Sequence, residues 1–158
     1  MTADWQLHGQ TLIEGVAVKE MSNVLKNNGH LTEIYRRDWH LDNQPVDQVF
    51  QVTLRPEGIS AWHVHQTTTD RLFVSLGTLK IVLFDPRPES ATYGLLNEFI
   101  ISELRPKLLV VPPHVIHGIK NIGVDTAILL NLVDQAYQYD DPDHWRAPYP
   151  NPSIPYRF

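Results

Sequence analysis

The stretch WHVHQTTTDRLFVSLG, residues 62–77, places two histidines on alternate positions and an aspartate five residues after the second. Successive side chains of a strand point to opposite faces, so His63 and His65 share one face. The run RLFVSL then predicts a strand that begins beside Asp70. Two imidazoles near a carboxylate suit two kinds of chemistry, which are binding a metal ion and moving protons on a bound substrate.

Short strand patterns, separated by Gly, Pro, Asn or Asp, dominate the rest of the chain. The predicted strands cover residues 30–39, 49–54, 71–76, 78–85, 107–112, 118–122 and 127–133. Residues 16–26 fit either a helix or a strand followed by a loop. Residues 140–158 are rich in proline and aromatics, which predicts a tail packed over the domain. The pattern predicts one all-β domain over residues 1–158, a sandwich or barrel.

Composition narrows the classes of function. The net charge of -5 argues against a nucleic-acid partner. The chain has no cysteine, which excludes disulfides, a thiolate nucleophile and a cysteine-based zinc site. No apolar run approaches the roughly 18 residues that span a bilayer, and the N-terminal residues lack the pattern of a signal peptide. We therefore expect a cytoplasmic protein with no membrane partner.

A second histidine group lies in PPHVIHGIKN, residues 112–121, directly after the apolar run LLVV. The two groups resemble the two motifs of the cupin superfamily. Their positions are filled by His63, His65, Asp70 and Gly77 in the first motif, and by Pro112, His114 (where glycine is usual), His117 and Asn121 in the second. This resemblance implies a jelly-roll barrel, a double-stranded β-helix, with its site inside.

In metal-binding cupins the matching positions hold a divalent transition metal. Here those ligands are His63, His65, Asp70 and His117. Three imidazoles and a carboxylate suit Fe, Mn, Ni, Cu or Zn. Asp70 stands where glutamate is usual and is one methylene shorter. The alternative is that these side chains bond to one another and hold no metal.

A closer resemblance covers about residues 16–156. Its segments are GHLTEIYRRDW (29–39), GISAWHVHQ (58–66), GTLKIVLFDPRPESATYG (77–94) and VPPHVIHGIKNIGVDTAILLNLVDQAYQYDDPDHW (111–145). In this order they resemble the dTDP-4-dehydrorhamnose 3,5-epimerases, metal-free cupin enzymes that act on a nucleotide-linked keto sugar. The most specific motif is carried by Asp85, Arg87, Ser90, Thr92, Tyr93 and Gly94.

This resemblance implies proton abstraction beside a ketone. His63 falls at the position of the base and Tyr137 at that of the acid, with Tyr139 as the alternative acid. The pair His63 and His65 also resembles the histidine pair of the related sugar 3,4-ketoisomerases. A base must be neutral to accept a proton, and we expect burial of His63 to outweigh the charge of Asp70 in keeping it so.

Several family positions differ in this chain. Ser60 and Asn28 stand where the epimerases have arginines that hold the pyrophosphate. Asp70 or Arg71 falls at the family's lysine, and Asn151 at the aspartate that orients the base. The arginines make bidentate contacts that serine or asparagine cannot replace. We therefore predict weak binding of the nucleotide.

Further candidates complete the predicted site. Substrate contacts are assigned to Glu33, Arg36, Trp62, Asp70, Arg71, His117 and Asn131. Trp62 also fits a core or dimer face, Arg87 fits a structural turn, and His144 fits a surface position. Relatives pair through N-terminal strands, which implies a homodimer joined by residues 1–50.

Three functions remain open from the residues alone. They are a sugar epimerase or isomerase without a cofactor, a metal-dependent cupin enzyme, and a non-catalytic sugar-binding cupin.

Overall fold

Two five-stranded antiparallel sheets pack against each other in the computed structural model, which describes residues 9–158. The strands are β1 Ala17–Glu20, β2 Val24–Lys26, β3 Gly29–Leu31, β4 Gln48–Leu54, β5 Ile59–Val64, β6 Asp70–Leu76, β7 Thr78–Phe84, β8 Leu96–Ser102, β9 Lys107–Val111, β10 Ile116–Asn121, β11 Ala127–Val133 and β12 Trp145–Arg146. One sheet has the order β1-β9-β6-β11-β4, the other β12-β5-β10-β7-β8, and β2 pairs only with β3. This is the predicted all-β cupin jelly roll.

Strand β7 shows how the sequence pattern produces the two layers. Leu79, Ile81 and Leu83 point into the core between the sheets. Val82 and Phe84 alternate with them and point to the outer side, into a second apolar cluster. Each fully buried side chain of this size contributes roughly 1.5–3 kcal/mol. A strand buried on both faces therefore anchors the second sheet.

The C-terminal tail covers the outer side of this second sheet. Tyr149, Tyr156 and Phe158 pack with Trp62 in the second apolar cluster. The short strand β12 adds to the sheet edge, where Arg146 pairs with His63 and Trp145 with Val64 in register. The tail thus reaches the strand that carries the first histidine pair.

Two sequence predictions for the N-terminal part have different outcomes. The ambiguous region 16–26 contains strands β1 and β2 and no helix. The prediction of a strand over 30–39 is wrong beyond Leu31, since a 3₁₀ turn follows at Arg37–Trp39. Ile34, Tyr35 and Trp39 instead pack on the apolar cluster around Phe73. Packing of these three side chains on the apolar cluster, rather than β-sheet hydrogen bonding, sets the path of the chain here.

The turn after β7 is held by a buried carboxylate. Asp85 accepts hydrogen bonds from Arg87 Nε (2.7 Å), Ser90 Oγ (2.6 Å) and Thr92 Oγ1 (2.6 Å). Burial opposes ionisation, but these donors outweigh it and hold the pKa of Asp85 below its ordinary value. The most specific motif of the sequence is therefore structural, as predicted for Arg87.

No helix in residues 9–158 has the length and apolar character that crossing a membrane requires.

Candidate active site

A cavity of about 670 Å³ opens between the two sheets. Strands β4, β5, β6, β10 and β11 form its walls, and residues 135–146 form one side of its rim. Its polar lining includes Ser60, His63, His65, Asp70, His117, Asn131, Tyr137 and His144. Ligand pockets typically have volumes of roughly 300–1,000 Å³, so the cavity accommodates a small molecule.

Four histidine side chains lie together in the lining of this cavity. His63 comes from β5 and His65 directly follows its last residue, while His117 comes from β10, where it pairs directly with His63. Ring centroids are 5.7 Å apart for both His63–His117 and His65–His117. His144 completes the group, 5.1 Å from His63 and 5.3 Å from His65. The alternation of β5 and the register of β10 thus produce the cluster.

His63 has a partner on each ring nitrogen. Nε2 lies 2.8 Å from Ser60 Oγ, and Nδ1 lies 2.8 Å from His144 Nε2. Burial is the main cause that lowers the pKa of His63 to about 3, and the nearby His117, His144 and Arg146 contribute to the same shift. His63 is therefore neutral at neutral pH, which is the form that a general base needs.

Asp70 is a buried carboxylate, 1% exposed, on the same cavity wall. Its Oδ1 accepts a 2.6 Å hydrogen bond from Asn131 Nδ2. Its Oδ2 lies 3.4 Å from His65 Nε2 and 3.6 Å from His117 Nε2. A buried charge is costly unless a partner compensates it. Either a proton on one of these imidazoles or a bound cation meets this need.

His65 is held in one orientation by a backbone carbonyl. Its Nδ1 donates to the carbonyl oxygen of Asp143. Since a carbonyl oxygen only accepts, the proton of neutral His65 is assigned to Nδ1. Nε2 then faces the Asp70 carboxylate.

The donor set for a metal is smaller than the sequence predicted. Ligand atoms of His65, Asp70 and His117 all lie within 4.8 Å of one another. His63 is not part of this group, and its two nitrogens are engaged by Ser60 and His144. Two imidazoles and a carboxylate suit a non-haem Fe(II) or a similar divalent ion. Asp70 therefore fits a metal despite its short side chain, as part of a three-residue set.

Of the predicted acid and binding residues, the cavity is lined by Asp70, His117, Asn131, Tyr137 and the alternative acid Tyr139. Tyr137 lines its rim and is 45% exposed, and its ring packs edge-on against Tyr139 at 5.4 Å. Asn131 lines the wall and orients Asp70. His114, by contrast, is absent from the lining, and its backbone N–H donates to the carbonyl of His65.

Other predicted substrate contacts need correction. Trp62 is fully buried in the aromatic cluster under the tail, because β5 alternates it away from His63. Arg71 is also fully buried, and its guanidinium binds Asp42 on the side of β6 opposite to Asp70. Neither side chain lines the cavity.

The predicted nucleotide contacts and the predicted orienting residue also lie elsewhere. Arg36 forms exposed ion pairs with Glu33 and Asp38 in the segment after β3, outside the cavity lining. Asn151 does not touch His63, and its Oδ1 accepts from the backbone N–H of Ser153. His144 occupies the place beside the base instead.

Sequence reasoning missed His144 and Asp143. Both stand in the tail segment DDPDHWR, residues 140–146, whose composition shows no periodicity. His144 is 81 residues from its partner His63. The sequence feature that could have identified them is the pair Asp143-His144 next to the aromatic Trp145, in a segment made mostly of turn residues.

Acidification is expected to destabilise the protein between pH 7 and pH 5.5. Burial lowers the pKa of His63, His117 and His144. Between the unfolded value near 6.5 and the folded value, the unfolded chain binds more protons, so stability falls as pH falls. Each histidine of this kind adds a slope of up to about 1.4 kcal/mol per pH unit. Urea midpoints at several pH values measure this. His63→Gln should flatten the slope, and a wild-type midpoint independent of pH would contradict the prediction.

Comparison with known proteins places these features in context. Residues 17–143 match the Cupin family. A probable low-salt glycan biosynthesis epimerase of Haloferax volcanii is 32% identical over 139 residues, which cover 87% of this chain and 88% of that protein. A dTDP sugar isomerase structure from Desulfovibrio desulfuricans is 26% identical, with a TM-score of 0.85 over 92% of this chain and 91% of that one.

The fold is also shared with more distant enzymes. A dTDP-4-dehydrorhamnose 3,5-epimerase from Bacillus anthracis, whose structure contains TDP and PPi, is 19% identical. Its TM-score is 0.81, and the match covers 93% of this chain and 86% of that chain. At this identity the likeness establishes a common fold.

Proposed function

The chain belongs to the cupin family, and we propose that it is a sugar epimerase or isomerase that moves a proton beside the ketone of a nucleotide-linked keto sugar. The observation that carries this proposal is that the imidazole of His63, which lines the cavity, is buried and neutral. The glycan epimerase and the dTDP sugar isomerase to which the chain is similar support the substrate class. A nucleotide-linked substrate also fits the cytoplasmic location that the sequence predicts.

The first step is removal of a proton from the carbon beside the ketone. His63 accepts the proton, and the electrons of the C–H bond move to the carbonyl oxygen to form an enolate. The developing oxyanion needs a donor or a positive charge close by. His65 is the candidate for this role, because its ring lies in the cavity between the Asp143 carbonyl and the Asp70 carboxylate. Among residues 9–158, no lysine lines the cavity.

The second step decides between epimerisation and isomerisation. Return of a proton to the same carbon from the opposite face inverts it, and Tyr137 on the rim is the candidate donor. Return of a proton from His65 to the former carbonyl carbon shifts the ketone instead, when the hydroxyl proton of the neighbouring carbon passes to the former carbonyl oxygen and leaves the new carbonyl behind. The first product is an epimer and the second is a positional isomer.

Incubation of the wild-type protein with dTDP-linked 4-keto sugars in D₂O tests the proposal. Deuterium should appear beside the carbonyl, and NMR of the product distinguishes an inverted carbon from a shifted ketone. Binding without any exchange would instead support the non-catalytic, sugar-binding alternative. No exchange on any keto sugar tested would overturn the enzymatic proposal.

A metal-dependent cupin enzyme is the second candidate, favoured by the convergence of His65, Asp70 and His117. These three residues would hold the ion, which would supply Lewis-acid or redox chemistry when bound. In that case Asp70 is compensated by the ion rather than by a proton. His63 keeps its place as the neutral base beside the site.

Chelation distinguishes the two candidates. We expect EDTA-treated protein to retain its proton-exchange rate within about twofold, because a histidine base and an imidazolium suffice for enolate chemistry. Elemental analysis of protein purified without an affinity tag accompanies the assay. About one ion per chain, together with activity that EDTA removes and a metal salt restores, would favour the metalloenzyme.

A homodimer joined by the N-terminal region completes the proposal. The β2–β3 hairpin exposes Val24, Leu25 and Leu31, and the edge strand β4 exposes Val49. Leu25 is 82% exposed, and exposed apolar side chains grouped on one hairpin are typical of an interface. Residues 1–8 of the predicted dimer face lie outside the described part of the chain.

Leu25→Asp should convert the dimer to a monomer, because a charge would be buried in an apolar interface. Size-exclusion chromatography with light scattering measures the mass. Leu104→Asp is the matched control, since Leu104 is 86% exposed outside the hairpin. A monomeric wild type, or a Leu25→Asp variant that still dimerises, would contradict this interface.

A further inference from the structure

One carboxylate ties the C-terminal tail to the loop that follows the histidine pair. Asp143 Oδ1 accepts from Gln66 N (2.7 Å). Its Oδ2 accepts from Thr67 N and Oγ1 (both 2.9 Å) and from Thr68 N and Oγ1 (both 2.8 Å). Burial opposes ionisation, but the donors outweigh it and hold the pKa of Asp143 below its ordinary value. The segment 140–146, here called the strap, is thus pinned beside β5.

The same residue touches the cluster through its backbone. The carbonyl of Asp143 accepts from His65 Nδ1. The next residue, His144, places Nε2 at 2.8 Å from His63 Nδ1. Fixing Asp143 in place therefore supports one hydrogen bond to His65 and one, through His144, to His63.

We propose that Asp143 is a positioning residue, which fixes the proton of His65 on Nδ1 and holds His144 against His63. This inference rests on the proposed function for its effect on catalysis, but its structural part stands without a substrate. With Nδ1 bonded to the strap, His65 Nε2 points at Asp70. The strap thereby orients both rings of the pair, with His63 bonded to His144 and with Nε2 of His65 facing Asp70.

Histidine NMR tests the positioning directly. In ¹⁵N-histidine-labelled protein, long-range proton–nitrogen spectra show which ring nitrogen of His65 carries the proton, with the signal assigned by a His65→Gln variant. The wild type should show a protonated Nδ1. In Asp143→Ala the strap loses its five side-chain hydrogen bonds. The His65 signal should then move toward the average of two exchanging tautomers.

Two comparisons separate positioning from general stability. Asp140→Ala removes an exposed carboxylate of the strap that makes no hydrogen bond among residues 9–158, and should leave the His65 signal unchanged. Thr67→Val/Thr68→Val keeps the carboxylate and the side-chain volumes but removes two of its donors. It should shift the signal in the same direction as Asp143→Ala, by less, and it serves if that variant does not fold.

Kinetics provide the second readout. Misplacement of catalytic groups by about 1 Å costs roughly 10²-fold in rate, so Asp143→Ala should lower kcat about 10- to 100-fold with KM changed less than about threefold. An unchanged His65 signal in both the Asp143 and the threonine variants would overturn the proposal, as would an equal shift in Asp140→Ala. A shifted signal in a protein without any proton-exchange activity would uphold the positioning and reject the proposed function.

Discussion

Replacing His63 with alanine is expected to slow proton exchange beside the substrate carbonyl by about 10²–10⁴-fold, the range for loss of a general base. The reason lies in its state of charge. Burial and neighbouring positive groups lower the pKa of His63 to about 3, so the wild-type ring is neutral and ready at neutral pH. Its removal also takes away the hydrogen-bond partner of His144 Nε2, which lines the cavity beside it.

Deuterium incorporation in D₂O, followed by NMR or mass spectrometry, measures this rate. Tyr137→Phe is the informative companion variant, because it removes the proposed acid and retains the base. It should keep exchange and lose inversion of the carbon. Together the two variants assign the two proton transfers to opposite faces of the sugar.

His40→Asn is the matched control, since His40 is exposed, lies outside the cavity and has the left-handed backbone conformation that asparagine tolerates. It should exchange at the wild-type rate. If exchange instead survives His63→Ala unchanged, the base is another residue. His65 is then the first to test, since it shares the cavity wall.

Local sequence pattern was sufficient for most of the fold. Alternation predicted the two-sided burial of β7, and the two motifs predicted the jelly roll. The strand predicted over 30–39 failed because Tyr35 and Trp39 find apolar partners on the outer side of the first sheet. Such partners are distant in sequence, and alternation within a short window contains no information about them.

The candidate site divides in the same way. The short stretch of sequence from β5 to the start of β6 supplies His63, His65 and Asp70. The pairing of β10 with β5 brings His117 beside them. Asp143 and His144 join them from the tail, through contacts that span 75 to 81 residues. The tail is held in place by the packing of Tyr149, Tyr156 and Phe158 around Trp62. No motif in the sequence predicts this packing.

Weak binding of dTDP is the second large effect that we expect. Ser60 Oγ, at the position of a phosphate-binding arginine, bonds to His63, and Asn28 lies exposed in the turn between β2 and β3. Arg36 and Arg71 cannot substitute for these arginines, because Asp38 and Asp42 already engage them. Each missing charge-assisted contact is worth roughly 1.5–3 kcal/mol, so two of them weaken binding about a hundredfold or more.

Calorimetry with dTDP measures this affinity in the wild type and in an Asn28→Arg/Ser60→Arg variant. Restoring both guanidinium groups should tighten dTDP binding by about a hundredfold, whatever it does to turnover. Arg146→Ala tests the remaining cation, since Arg146 lines the cavity and pairs in register with His63. Tight binding by the wild type would contradict the prediction. If Arg146→Ala then abolished that binding, Arg146 of the strap would be the residue that holds the pyrophosphate. The family's two arginine positions would then be dispensable, because this tail residue has replaced them.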